Sequence, residues 1–479
     1  MSARDLRKGR RAKIVCTLGP AVDDEARLEA LIRHGMDAAR LNLNFGSLQE
    51  HADRIDRVRR LTEGRRPVAV IADLPGRKLR IGNLEGGSVR VDDDAEVRFV
   101  VDAGQSGDAR EIPVHRSFFH DNMAVQDPVL LHDGVVELEV QHVARDSVTA
   151  RVVHGGTISE RTGLYSPGIP ATAPPITEVD RPLLQMAADQ GADYVALGWV
   201  TDDQDLLQAR EALDEVAPHL RLVAKIERPE AFARLDGILR RSDAVMVRRG
   251  DLGAQLEVTR VPLVQREVLR RANRAGVPAV IATQMLNSMV TSPRPTRAEA
   301  SDVASAVAAG ADGVLLSAET AVGQFPVEAV DMMARVIRQT ELEPPPRPSQ
   351  PGHELRTASF TEATASLATE AADRVCARLI VCFTEHGRTA LLVSKYRPGA
   401  PILAFCTSET TRRRLSLTWG VRTDRLEPSS TVERMVEQVE TRLCERGLAE
   451  AGDTLILVFG APMGTSGRTN TIRMHRIGG

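Results

Sequence analysis

Lysine is scarce in this 479-residue chain. Of 62 basic residues only five are lysine (Lys8, Lys13, Lys78, Lys225 and Lys395), and every other one is arginine. Cysteine is equally scarce: the five thiols at 16, 376, 382, 406 and 444 form no CxxC pair and no regular framework. That excludes a disulfide scaffold and reads as reduced thiols in a cytoplasmic protein. Long apolar runs are missing too. None approaches the roughly 20 residues of a membrane span, so no membrane partner is expected. The basic start, RDLRKGRRAK, leads into no apolar h-region, so no signal peptide is expected. Net charge is only −3, which gives no reason to expect nucleic acid or an anionic membrane as partner.

The lysine shortage is informative in itself. Lysine presents a compact point charge and arginine a planar fork. A lysine kept against an arginine background therefore suggests work that a guanidinium cannot do, which singles out Lys225 and Lys78. Lys225 sits in VAKIERPE, at the end of an apolar run. In a strand, side chains alternate faces, so Lys225 and Glu227 point the same way. Such a pair is either a structural salt bridge or a functional pair of charges.

Eight short apolar runs recur: AKIVCTL, AARLNL, VAVIADL, DYVALGWV, RLVAKIE, AVMVRR, PAVIATQM and GVLLSAE. Segments of helical spacing, such as DEARLEALIRHG and QREVLRRANRAG, lie between them. Eight strand–helix units predict an α/β fold, a (β/α)8 TIM barrel with its chemistry at the strand C-terminal ends. The polar residues there are Asn42, Asp73, Lys225, Glu227, Asp251, Thr283, Ser317 and Glu319. Residues 81–170 have another character. SVRVDDDAEVRFVV and VVELEVQHVARDSVTARVV alternate apolar and polar, which predicts a small all-β domain inserted into a barrel loop. The barrel is then residues 1–80 and 171–342. The Pro-rich linker EPPPRPSQPG (343–352) ends it, and residues 353–479 form a separate C-terminal α/β layer domain.

The stretch 282–326, ATQMLNSMVTSPRPTRAEASDVASAVAAGADGVLLSAETAVGQFP, together with AKIVCTLGP, AKIE and RRGDLG, resembles the pyruvate kinase family. The resemblance runs in order through nearly the whole chain. It implies a (β/α)8 barrel, an inserted β-barrel lid and a C-terminal effector domain. It also implies transfer of the phosphoryl group of phosphoenolpyruvate to ADP, giving pyruvate and ATP. Lys225 would then reach the phosphoryl group in flight, and Glu227 and Asp251 would hold Mg²⁺ (or Mn²⁺). Phosphoryl transfer relies on positioning and cationic stabilisation, and Mg²⁺ accepts a couple of carboxylates with its other positions on substrate and water. By the same resemblance Arg40 contacts phosphate, and Thr283 lies beside the enolate carbon. Ser317 and Glu319 belong to a proton-relay region. The amides of Gly250 and Asp251 clamp the substrate carboxylate, and Asn42 and Arg80 lie on the nucleotide side. TEHGRTA and FGAPMGTSGRTNTIR resemble effector loops, which offer Thr384, Arg388, Thr389, Ser466 and Thr469 to a phosphorylated effector. A homotetramer is implied by the family alone.

Departures from the family pattern sharpen the expectations. Leu74 stands where potassium-dependent members have a threonine, and Lys78 where they have a glutamate. An ammonium beside a cation site repels K⁺, so Lys78 is expected to act as an internal cation and K⁺ not to be required. Phe45 replaces an imidazole that meets ATP phosphates in the family. Pro75 and Thr162 stand where lysines are usual, with Arg161 as a neighbour of the second. Two other readings stand beside phosphoryl transfer: a Mg²⁺-dependent oxoacid lyase or aldolase that uses Glu227 and Asp251, and a weakened metabolite-sensing paralogue.

Overall fold

The structure is a computed structural model that describes residues 9–101, 104–114, 122–131, 134–166, 169, 173–343, 359–427, 429, 431–461 and 469–478. Ser466 and all of the Pro-rich linker after residue 343 lie outside the described residues. All eight apolar runs form strands. They are β1 (Lys13–Leu18), β2 (Ala38–Asn42), β3 (Ala69–Asp73), β12 (Tyr194–Leu197), β13 (Arg221–Ile226), β14 (Ala244–Arg248), β15 (Ala279–Ala282) and β16 (Gly313–Leu316). Parallel pairing closes them into one barrel in the order β1-β16-β15-β14-β13-β12-β3-β2. Helices cover the outside, so both strand faces are buried and the runs are apolar throughout.

Alternation sorts those runs into two cores. Val15, Ala38, Ala69, Ile71, Ala196, Val223, Ala244, Met246, Val280 and Leu315 fill the barrel interior. Their chain neighbours, such as Val70, Ala72, Leu222, Ala224 and Val245, pack outward against the helices. Following each inward series upward gives the mouth: 69, 71, then Asp73; 38, then Arg40 and Asn42; 223, then Lys225 and Glu227; 244, 246, then Arg248. The lower end is sealed from another part of the chain. Leu417 is fully buried among the interior residues, and the Tyr194 hydroxyl donates to the Arg414 carbonyl at 3.0 Å.

Helix ends follow local chemistry. Ser47 with Glu50 and Thr296 with Glu299 make capping boxes at the starts of Leu48–Thr62 and Arg297–Ala308. Gly276 takes φ +69° to end Val261–Ala275.

Between β3 and β12 lie eight strands, β4 to β11, from Ser88 to Tyr165. Among the described residues they form a six-stranded sheet and a two-stranded sheet around their own core, which includes Phe99, Leu138 and Val148. Trp199, just beyond β12, is 1 % exposed and joins that core, so the barrel enters the insertion's packing. The C-terminal part is a five-stranded sheet ordered β19-β18-β17-β20-β21. Its strands are β17 (Leu379–Phe383), β18 (Ile402–Cys406), β19 (Val421–Arg425), β20 (Thr454–Phe459) and β21 (Thr471–Arg476). The first four in that order pair in parallel. β21 pairs antiparallel to β20 and was not expected: TIRMHR carries charge along much of its length because it lies at the sheet edge.

Candidate active site

Lys225 and Glu227 do share a face. The Lys225 ammonium lies 3.5 Å from Glu227 Oε1, and both side chains are almost fully buried. Its nearer partner is Asp73, whose Oδ1 is 2.8 Å away. Asp73 Oδ2 accepts from Arg40 Nε at 2.7 Å, and Arg40 also donates to the Thr17 hydroxyl at 3.1 Å. Arg40 is 5 % exposed, so it is no surface ion pair. Burial alone would raise the Asp73 carboxyl, but the charges of Lys225, Arg40 and Arg248 hold it well below the usual carboxylate range. Asp73 thus positions two cations at the mouth. In the sequence it was only one polar strand end among several.

A second carboxylate group faces this one. Arg248 Nε lies 3.0 Å from Asp251 Oδ2 and 3.5 Å from Glu227 Oε1. The Lys78 ammonium pairs with Asp251 Oδ1. The charges of Lys78 and Arg248 overcome burial and keep the Asp251 carboxyl well below its ordinary range. Glu227 Oε2 accepts the Trp199 amide at 2.9 Å, which fixes that carboxylate from behind. Arg80 also reaches this region. Burial lowers its guanidinium pKa and Arg248 lowers it further, while Asp251, Glu227 and Asp73 oppose the fall. Its Nη1 donates to the Arg161 carbonyl at 3.0 Å, so the insertion contributes directly to the mouth.

Three buried carboxylate oxygens here accept no hydrogen bond among the described residues, Asp73 Oδ1, Glu227 Oε1 and Asp251 Oδ2, although a cation faces each; the last two lie on either side of Arg248. An orphaned carboxylate oxygen is costly unless something charged fills the place. Two such oxygens fit a hard divalent cation that takes its remaining positions from substrate and water. No group of three or more metal-ligating side chains occurs among the described residues.

Thr283 stands just past β15 with φ +75°, followed by Gln284 at +54°. A β-branched residue in that region is strained, and such strain persists where the surroundings over-determine it. Here they do. The Gly250 amide donates to Thr283 Oγ1 at 3.0 Å, and Arg249 donates to the Thr283 carbonyl at 2.6 Å while holding Asp302. Gly250 and Asp251 open the helix Arg249–Gln255 at the mouth. Glu319 spends both oxygens on backbone amides, those of Leu286 (3.1 Å) and Ser317 (2.7 Å). Burial raises its carboxyl pKa and those amides oppose the rise. The geometry makes Glu319 a brace for the loops after β15 and β16. Asn42 is half-buried and accepts from Asn44 Nδ2 at 2.8 Å, beside the half-exposed Phe45. Leu74 is fully buried in the outer core and offers no ligand to the mouth.

Gly198 was missed in the sequence. A Cβ there would come within 3.0 Å of Lys225 Nζ and 3.4 Å of Glu227 Oε2. No side chain fits between the barrel wall and this pair. A strand-end glycine carries no sequence signal of a side chain 27 positions on.

In the C-terminal part, Thr384 Oγ1 accepts the Gly387 amide at 2.9 Å, and the hydroxyls of Thr389 and Thr469 lie 2.6 Å apart. Arg388 is exposed beside them. Four of the five effector-loop candidates therefore cluster, and Ser466 is outside the described residues.

The closed parallel barrel and the buried cations and carboxylates at its C-terminal mouth define a (β/α)8 enzyme that handles an anion together with a cation. Comparison with known proteins narrows this. Residues 9–330 match the pyruvate kinase barrel domain and residues 362–475 the pyruvate kinase alpha/beta domain. A pyruvate kinase of Agrobacterium vitis is 41% identical over 479 residues, covering 99% of this chain and 100% of the relative. One of Mycobacterium tuberculosis is 38% identical over 473 residues, covering 98% and 99%. One of Geobacillus stearothermophilus is 38% identical over 98% of this chain and 80% of its own length. The chain belongs to the pyruvate kinase family and is a phosphotransferase with pyruvate kinase function.

Proposed function

We propose that the barrel mouth carries the phosphoryl group of phosphoenolpyruvate to ADP with the following division of labour. Lys225 and Arg40, both preset by Asp73, receive the phosphoryl oxygens and offset the charge that spreads over them in the transition state. The amides of Gly250 and Asp251 at a helix start receive the substrate carboxylate, which takes the place of the Thr283 hydroxyl on the Gly250 amide. Glu227 and Asp251 hold Mg²⁺ (or Mn²⁺), which supplies charge neutralisation at the phosphoryl oxygens when bound. Thr283, pinned in its strained conformation, faces the carbon to be protonated, with Ser317 and the braced Glu319 behind it. Asn42 and Arg80 serve the nucleotide. The observation that supports this reading is the pair of buried carboxylates Glu227 and Asp251, each with an oxygen that accepts no hydrogen bond among the described residues, beside the buried Lys225 ammonium.

Lys78, on Asp251, supplies the positive charge that K⁺ supplies in other members, so K⁺ is not required. We further propose the lid as residues 81–170, an effector site at the Thr384–Thr389–Thr469 cluster, and a cytoplasmic homotetramer. The family resemblance supports these three readings. The test is direct. Purified protein with phosphoenolpyruvate, ADP and Mg²⁺ should form pyruvate, and omission of ADP or Mg²⁺ should stop it. Cleavage or condensation of an oxoacid without nucleotide would establish the lyase reading instead, and silence in both assays the sensing paralogue.

A further inference from the structure

Arg248 ends β14 on the inward face, above Ala244 and Met246 of the barrel interior. Its Nε lies 3.0 Å from Asp251 Oδ2 and 3.5 Å from Glu227 Oε1. Those are the same two oxygens that accept no hydrogen bond among the described residues and that suit a divalent ion. The guanidinium and the ion therefore compete for one place. Mg²⁺ draws its oxygens in to about 2.1 Å and carries a double charge, so a guanidinium left beside it in a buried site is strongly repelled.

Neither carboxylate needs Arg248 for neutralisation. Asp251 already pairs with Lys78 through its other oxygen. Glu227 has the Lys225 ammonium at 3.5 Å, and its second oxygen accepts the Trp199 amide at 2.9 Å. Counting Arg248, the mouth sets Arg40, Lys78, Arg80, Lys225 and Arg248 against Asp73, Glu227 and Asp251. A simple ion pair joins one acid to one base. Arg248 instead spans two acids from different elements, one just past β13 and one in the helix Arg249–Gln255. The two acids are 0 % and 5 % exposed at their side chains, whereas Arg248 is 20 % exposed. The arginine thus has an open side to move into, and the carboxylates have none.

We propose that Arg248 is a resident cation on the metal ligands, bridging Glu227 and Asp251 when no divalent ion is bound and swinging toward the open mouth when the ion takes its place. The proposal rests on the reading of Glu227 and Asp251 as those ligands. Arg248 is then a positioning residue. It keeps two buried carboxylates paired and aligned between turnovers, and it sets how tightly the metal binds. The coupling is reciprocal: a phosphate that draws the guanidinium away tightens the metal, and the metal frees the guanidinium for a phosphate.

Mn²⁺ is the probe, followed by electron paramagnetic resonance on the protein without substrates, so that turnover plays no part. Arg248→Ala should tighten Mn²⁺ binding at least tenfold, because the competing charge is gone. Arg248→Lys keeps a charge and should tighten it less. Glu227→Gln tests the ligand assignment by itself and should weaken binding at least tenfold; unchanged affinity there would remove the assignment and the proposal with it. If Glu227→Gln weakens binding while Arg248→Ala leaves it within twofold or weakens it, the ligands stand and the role of Arg248 is overturned. Should the variants misfold, phenylglyoxal modification of the unaltered protein, mapped by mass spectrometry, decides. Saturating Mn²⁺ should speed modification of Arg248 at least threefold and leave the exposed Arg388 unaffected. An unchanged or slower rate at Arg248 would overturn the exchange.

Discussion

The Lys225 ammonium rests 2.8 Å from Asp73 Oδ1, closer than to Glu227 two residues along its own strand. Before substrate arrives, the strand after Val68 therefore holds the charge that the phosphoryl group will need. Pre-aimed charge of this kind lowers a barrier because it need not reorganise during the reaction.

Lys225→Met keeps the length of the side chain and removes the charge. We expect kcat to fall by about three orders of magnitude, the scale of losing one preorganised electrostatic partner. Mn²⁺ binding, followed by electron paramagnetic resonance, should change little. Near-normal turnover would remove Lys225 from the reaction.

Asp73→Asn should lower kcat/KM by more than tenfold, because Arg40 and Lys225 lose their common anchor. The substitution also changes the response to acid. A carboxyl held below its unfolded range adds stability above about pH 4 and loses that contribution as pH falls. Melting temperature should fall less steeply between pH 5 and pH 3 in Asp73→Asn than in the unaltered protein. Parallel curves would show that Asp73 is not held ionised by its neighbours.

Gly198→Ala places a methyl group 3.0 Å from Lys225 Nζ and 3.2 Å from its Cε. The flexible end of the lysine can yield, so the melting temperature should move by only a few degrees. Turnover should drop about 10- to 100-fold, since small displacements of a catalytic group are expensive. A wild-type kcat would show that the ammonium need not sit where it does.

Potassium chloride, exchanged for another salt at constant ionic strength, should change the rate by less than twofold. Lys78 already places a positive charge against Asp251, and Leu74 is buried away from the mouth. A strong rise on adding K⁺ would show that the ion still has a seat.

The barrel was legible because each strand is buried on both faces, which leaves an unbroken apolar run in the sequence. That Lys225 and Glu227 share a face followed from strand alternation, and Asp251 was expected at the same mouth once eight units were counted, whereas Arg40 came from the family resemblance. What stayed hidden depends on partners remote in the chain. The role of Asp73 needs Lys225, 152 positions away. Gly198 matters for what a side chain would strike. Edge strand β21 offers only Ile472 and Met474 as apolar residues, and Met474 is exposed, so its alternation is too short to announce it.

Leu417 closes the bottom of the barrel like a stopper contributed by someone else's bottle. Cutting the chain within the Pro-rich linker and discarding the rest would leave Val15, Ala196 and Met246 open to water from below. The two parts are therefore obligate companions. A barrel fragment expressed alone should aggregate, and Leu417→Ala in the intact chain should cost about 2 to 5 kcal/mol, measured by chemical denaturation.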